Sequence, residues 1–328
     1  MNKKSLWAAV LLLAAVSAFG RGQDERDQSR LVPAGRGGNN AAPLPALDGT
    51  EELPGDQDRF DSYVKSVDWL VENREDVIVL DARARAAFEA GHIPGAVQAH
   101  WHDWSNVSVA QGEPGWSVLL PPDELALKLA ALGIDGSKPV VIYNDPLSGW
   151  GEEGRQLWSL RVFGLENTYL LNGGLAAWER AGGELSRTPV TPVAVAPPVP
   201  SPNWDLFADT DFVNANLGAC QFLDVREPEE FNGDKVYGER RKGRIPGAQH
   251  TWFKDFYNPD GTLQTPAQLR ARFQGLGIQL DETVIAYCTG GIRSGFSSIA
   301  LKVAGYQDVR NYDASFSEWA GTDQIIEL

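Results

Sequence analysis

The sequence predicts an α/β protein made of two tandem copies of one domain, each a small parallel sheet flanked by helices. Three observations carry this. Short β-type runs alternate with helix-like stretches in both halves (VIVLD, VVIY, TYLL; then QFLDV, TVIAY, VRNY), the pattern of a parallel sheet covered on its faces. The halves repeat the same landmarks in the same order: Asp-x-Arg (Asp81 and Arg83; Asp224 and Arg226), then Ile-Pro-Gly-Ala, then a closing Trp. The spacing also repeats, with 97 positions from Asp81 to Trp178 and 95 from Asp224 to Trp319. A period of that length is a whole domain written twice, not a solenoid.

Taken in order, residues 1–20 read as an export signal. Lys3 and Lys4 precede the apolar run Leu6–Val16, and Ala18 and Gly20 offer a cleavage site. The run is too short for a membrane span, and no cysteine stands near it to take a lipid anchor. The expectation is a soluble protein exported to the bacterial periplasm. Residues 21–56, rich in Gly, Asn, Pro, Asp and Arg without apolar periodicity, read as a disordered tether. The first domain is then expected at 57–185, with folding starting near Phe60. A proline-rich, extended linker follows at 186–202, and the second domain at 203–328.

Charge narrows the partners. Against 29 Lys plus Arg stand 44 Asp plus Glu, a net charge of −15, which argues against nucleic acid or an anionic membrane as a partner. Any anion site must be local. The chain has 2 cysteines. Cys220 precedes QFLDV and Cys288 follows TVIAY, so in neighbouring parallel strands they lie at opposite ends, about 13 Å apart. A disulfide needs Cα atoms within about 7 Å, so Cys220 reads as a small buried apolar residue.

Cys288 falls where a strand ends and a helix begins, the ligand-binding edge of open α/β sheets. Phe296, Ile299, Ala300 and Val303 recur at helical spacing behind it, and Gly305 is a natural stop. The segment Thr289-Gly290-Gly291-Ile292-Arg293-Ser294 favours a thiolate in three ways. Its glycines let backbone N–H groups turn inward, Arg293 adds a positive charge, and the helix opens with its partial positive end at the site. A metal site needs more ligands than this segment offers. His100 and His102, in the other half, have no evident partner and are expected to pack at a surface or interface. No metal and no cofactor are expected.

These residues resemble the rhodanese family of sulfurtransferases over nearly the whole chain after residue 57. Two tandem domains, Asp-x-Arg and Ile-Pro-Gly-Ala in each, one active-loop cysteine in the second, and the closing DASFSEWAG are similar to the two-domain thiosulfate sulfurtransferases. The resemblance implies transfer of sulfane sulfur from thiosulfate to cyanide, a thiol or a protein acceptor through a persulfide on Cys288. It makes residues 289–294 the substrate-binding loop. Aligning the repeats puts Tyr143 opposite Tyr287 and Asn144 in the place of Cys288. The first domain is therefore expected to be inactive and to wall the second domain's cleft, and the Asp-Arg pairs to brace the sheet edge.

Two departures bear on substrate. The loop Cys-Thr-Gly-Gly-Ile-Arg differs from the Cys-Gly-Ser/Thr-Gly-Val-Thr type of mercaptopyruvate-using relatives, which disfavours the keto acid. Glu230 stands where many two-domain members carry a substrate-holding arginine. Arg293 is expected to replace that charge, or else Arg240, Arg241, Lys242 or Arg244 from the longer insertion of the second copy, unless that cluster is only solvated. A cysteine phosphatase would need a longer ring than the 4 residues between Cys288 and Arg293. A non-catalytic sulfur carrier fits the same loop.

Overall fold

The structure is a computed structural model that describes residues 51–328. The export-signal reading, and the tether reading up to residue 50, lie outside the described residues. The elements of the first copy are α1 (Asp56–Asp61), β1 (Val64–Lys65), α2 (Val67–Glu72), β2 (Ile78–Asp81), α3 (Arg85–Ala90), β3 (Val97–Gln98), α4 (Pro122–Ala131), β4 (Val140–Tyr143), α5 (Glu152–Phe163), β5 (Thr168–Leu171) and α6 (Gly174–Arg180). Those of the second are β6 (Phe207–Ala208), α7 (Thr210–Ala215), β7 (Gln221–Asp224), α8 (Pro228–Phe231), β8 (Gln249–His250), α9 (Pro266–Gly275), β9 (Val284–Tyr287), α10 (Ile292–Ala304), β10 (Val309–Tyr312) and α11 (Ser315–Gly321).

Each copy forms a five-stranded parallel sheet, ordered β1-β5-β4-β2-β3 and β6-β10-β9-β7-β8. The central strands β4 (VVIY) and β9 (VIAY) are apolar throughout and fully buried, as strands covered by helices on both faces must be. Even the register repeats: Asp81 pairs with Tyr143, and Asp224 with Tyr287.

The expected bracing role of the Asp-Arg pairs is visible in both copies. Arg83 donates to Asp81 and to the carbonyl of Gly91 (2.7 Å), while Arg226 donates to Asp224 and to the carbonyl of Gly243 (2.8 Å). All four side chains are buried, so each pair fastens a strand end to the loop that leads into Ile-Pro-Gly-Ala.

The copies meet along α5 and α10. Their axes close together because small residues face large ones: a Cβ on Gly154 would lie 2.4 Å from the Phe296 backbone. Arg155, buried in α5, pairs with Asp313 of the second copy.

One boundary differs from expectation. Order extends back past residue 57, because Asp56 opens α1 and is buried in an ion pair with Arg270 of α9 (2.9 Å), and Arg270 also donates to the carbonyl of Glu51. Hydrogen bonds from Arg270 hold the Asp56 carboxyl well below the usual carboxylate range despite burial. The linker 186–202 is extended, yet tied to the first copy: Ser186 bridges His92, Val195 N–H donates to Ala130 and Ser201 N–H to Phe163.

Candidate active site

Strand β9 delivers Cys288 to the carboxyl edge of the sheet, and three neighbouring contacts fix it there. Its N–H donates to the Ser315 hydroxyl (3.1 Å), which donates in turn to the carbonyl of Tyr312 (2.7 Å). Ser315 holds a left-handed backbone (φ 56) to do this, an unusual conformation for a residue with a side chain. The Ser294 hydroxyl lies 3.5 Å from Sγ. Burial alone would raise the thiol's pKa, but the Arg293 charge, the Ser294 hydroxyl and the N–H groups of Ser294 and Gly290 outweigh it and bring it below the ordinary value.

The carbonyls of the loop are held by other groups. Gly290 C=O accepts from the Ser117 hydroxyl (2.8 Å), and Gly291 C=O from Arg155 (3.3 Å) and Asn311 (3.2 Å). Ser117 and Arg155 belong to the first copy, so that copy sets the loop's shape. Gly291 adopts φ +80, and a Cβ there would lie 2.2 Å from the Asp313 carbonyl oxygen. Only glycine fits.

Arg293 is not the free cation that the sequence suggested. Its guanidinium is buried and donates to both oxygens of Glu230 (2.6 and 2.9 Å) and to the Thr289 hydroxyl (2.6 Å). Glu230 thus does not replace an absent arginine; it binds the one present. Burial pushes its carboxyl up, and the Arg293 contacts more than reverse that. The Thr289 hydroxyl has a second carboxylate within reach, Glu239 at 3.0 Å.

Nor does the basic cluster reach the site. Arg240 pairs with Glu113, Arg241 caps carbonyls of Trp319, Ala320, Thr322 and Gln324, Arg244 pairs with Glu327, and Lys242 is exposed. Arg241 and Arg244 are held against the fold, while Arg240 and Lys242 stay exposed to solvent. The insertion contributes Tyr237 and Glu239 instead.

A cleft of about 270 Å³ opens over the sulfur, lined by Cys288, Thr289, Gly290, Ile292, Arg293 and Tyr237 from the second copy and by Trp101, His102, Gln111, Trp116, Trp150 and Glu152 from the first. The structure therefore brings five of the seven expected site residues to one wall. Gly291 and Ser294 lie behind it, Ser294 against Sγ. The aromatic wall is not legible in the sequence; of the first copy's lining residues only His102 is singled out there, as a metal candidate without a partner. Among the described residues no group of three or more His, Cys, Asp or Glu is placed to hold a metal ion.

The matching position in the first copy is filled. Asn144 donates to Glu152 (2.6 Å) and Glu153 (2.9 Å), and Tyr257 closes over it by donating to Glu153 (2.8 Å). Cys220 is half-buried rather than buried, and both cysteines are free.

A model of the rhodanese-like domain matches this chain twice, at residues 66–181 and 209–322. The chain belongs to the rhodanese family. It is similar to a thiosulfate sulfurtransferase of Azotobacter vinelandii, 32% identical across 77% of this chain and 92% of that protein. A probable 3-mercaptopyruvate sulfurtransferase of Pseudomonas aeruginosa is 35% identical across 74% of this chain and 89% of its own. The sulfur carrier protein TtuD of Thermus thermophilus is 32% identical, with 77% and 92% covered. In this tandem rhodanese the Cys288 loop and the wall facing it come from different repeats, and among the described residues no helix is long and apolar enough to cross a membrane.

Proposed function

We propose that this rhodanese is a sulfurtransferase that moves sulfane sulfur from thiosulfate to a thiol or cyanide through a persulfide on Cys288. The observation that carries the reading is the thiol itself: a cysteine of lowered pKa at the base of a cleft, with N–H groups aimed at its sulfur. Relatives named as sulfurtransferases support the activity in general. The thiolate attacks the outer sulfur of thiosulfate; a bond forms from Sγ to that sulfur, the bond to the inner sulfur breaks, and sulfite leaves with the electron pair. The same N–H groups then hold the persulfide until an acceptor removes the sulfur and restores the thiolate.

Mass spectrometry tests this. Thiosulfate alone should make the chain heavier by one sulfur atom, Cys288→Ser should abolish both the adduct and turnover, and Cys220→Ser should spare both. Turnover with no adduct would refute the covalent route. The carrier reading is separated by cyanide: one sulfur released per chain without cycling marks a carrier, and repeated cycling marks an enzyme. We also place the protein outside the cytoplasm on the strength of residues 1–20, and cell fractionation with and without them checks this.

A further inference from the structure

The cleft above Cys288 has more aromatic surface and less spare positive charge than a small inorganic anion requires. Trp101 stands edge-on to Trp116 (centroids 6.1 Å apart), and Trp150 edge-on to Tyr237 (5.7 Å). All four rings line the cleft, and Trp150 leaves 42% of its surface exposed at its side. Every guanidinium near the loop is matched by a carboxylate: Arg293 by Glu230, Arg155 by Asp313, Arg226 by Asp224. Glu152 adds a further carboxylate to the cleft wall, fixed by the Trp150 N–H (2.7 Å) and the Asn144 amide. Burial keeps the His102 ring below its ordinary pKa and so uncharged at neutral pH. The Arg293 guanidinium already lies over the Trp150 ring (5.3 Å) and the Lys235 ammonium over Tyr237 (4.2 Å), so two of the four rings hold cations of the chain itself. Aromatic rings beside a carboxylate suit a weakly hydrated organic cation, and the cleft is at the small end of ligand sites.

We propose that the sulfur acceptor is a small thiol whose far end is an alkylated ammonium cation, seated against Trp101, Trp116, Trp150 and Tyr237 with Glu152 beside it. This rests on the persulfide reading above. The donor anion uses the inner N–H cradle and departs as sulfite before the acceptor enters, so one cleft serves opposite charges in turn. The acceptor's thiolate sulfur bonds to the outer sulfur of the Cys288 persulfide. The bond to Sγ breaks, its electron pair stays on Sγ as the thiolate, and the acceptor leaves as a persulfide; no outside oxidant is required.

Choline, which has no thiol, tests the seat without any sulfur chemistry. It should protect Cys288 from iodoacetamide at a concentration about 10-fold lower than its uncharged carbon isostere 3,3-dimethylbutan-1-ol, the factor that one desolvated cation–ring contact supplies. Trp150→Leu and the shape-preserving Glu152→Gln should each shrink that ratio. With chains carrying persulfide, thiocholine should take sulfur about 10-fold faster than 3,3-dimethylbutane-1-thiol and faster than 3-mercaptopropionate. Equal protection by choline and the alcohol, or a preference for the anionic thiol, overturns the proposal. The sulfur adduct after thiosulfate is read separately, so loss of the persulfide reading and loss of the cationic seat are distinct results.

Discussion

Cys288 and Cys220 are the same chemical group in two settings, and only one of them can be pushed toward the thiolate. For Cys220 burial raises the pKa and the Thr283 hydrogen bond only partly offsets it; for Cys288 the Arg293 charge and its hydrogen-bond donors overcome burial. The pH profile of alkylation should therefore rise at lower pH for Cys288 than for Cys220. Testing Arg293 as the source needs care, because Arg293→Met alone leaves Glu230 buried and unpaired, at a cost of about 3–5 kcal/mol. The double variant Arg293→Met with Glu230→Gln removes both charges. It should recover much of that stability in urea titrations while keeping the Cys288 profile displaced to higher pH and thiosulfate turnover reduced about 10-fold or more, the loss expected for one charge-assisted contact. An unmoved profile would assign the lowered pKa to the backbone N–H groups and Ser294 alone. The loop was legible in the sequence because its chemistry is local. Arg293's partner was not, since Glu230 lies 63 residues away and only the folded chain sets a carboxylate against that guanidinium.

At the scale of elements, the strands and the helix behind the loop were readable from periodicity, for buried parallel strands and an amphipathic helix print their own patterns. Helix α5 was harder to read, because all of its residues from Glu153 to Phe163 are buried, polar ones included, and it shows no polar face. Its role is to cross α10. Gly154 faces Phe296 and Gly295 faces Arg155, so the contact depends on missing side chains rather than on apolar ones, a signal that composition does not carry. Gly154→Ala should therefore destabilise the protein by about 1–3 kcal/mol, the cost of overpacking, because its Cβ would meet backbone 2.4 Å away. The displaced α5 would also carry Arg155 off the Gly291 carbonyl, lowering sulfur transfer more than stability alone explains. A urea midpoint and a turnover assay on the same preparation check this; a neutral midpoint would show that the helices can separate at no cost.

Across the whole molecule, one repeat carries the cysteine and the other carries the wall that faces it. The first copy carries Asn144 where the second carries Cys288, and hydrogen bonds among Asn144, Glu152, Glu153 and Tyr257 occupy that position, while its loop at 101–117 walls the cleft over the other copy's cysteine. That arrangement has a price at Glu153, which is buried where the copies meet. Burial, and then the nearby Glu152, push its carboxyl up from 4.5 to about 7, against the hydrogen bonds from Asn144 and Tyr257. The folded chain therefore holds this proton over a pH range in which the unfolded chain has released it. The stabilising contribution is complete below about pH 4.5 and is lost as pH rises to about 7, a change on the order of 3 kcal/mol. Glu153→Gln copies the protonated carboxyl at every pH. Urea midpoints of the two proteins should nearly coincide at pH 4.5 and separate by pH 8 with the variant more stable, because other titrating groups, such as the buried Asp313, contribute equally to both curves. Parallel curves would mean that Glu153 keeps its ordinary acidity and that water reaches the seam between the repeats.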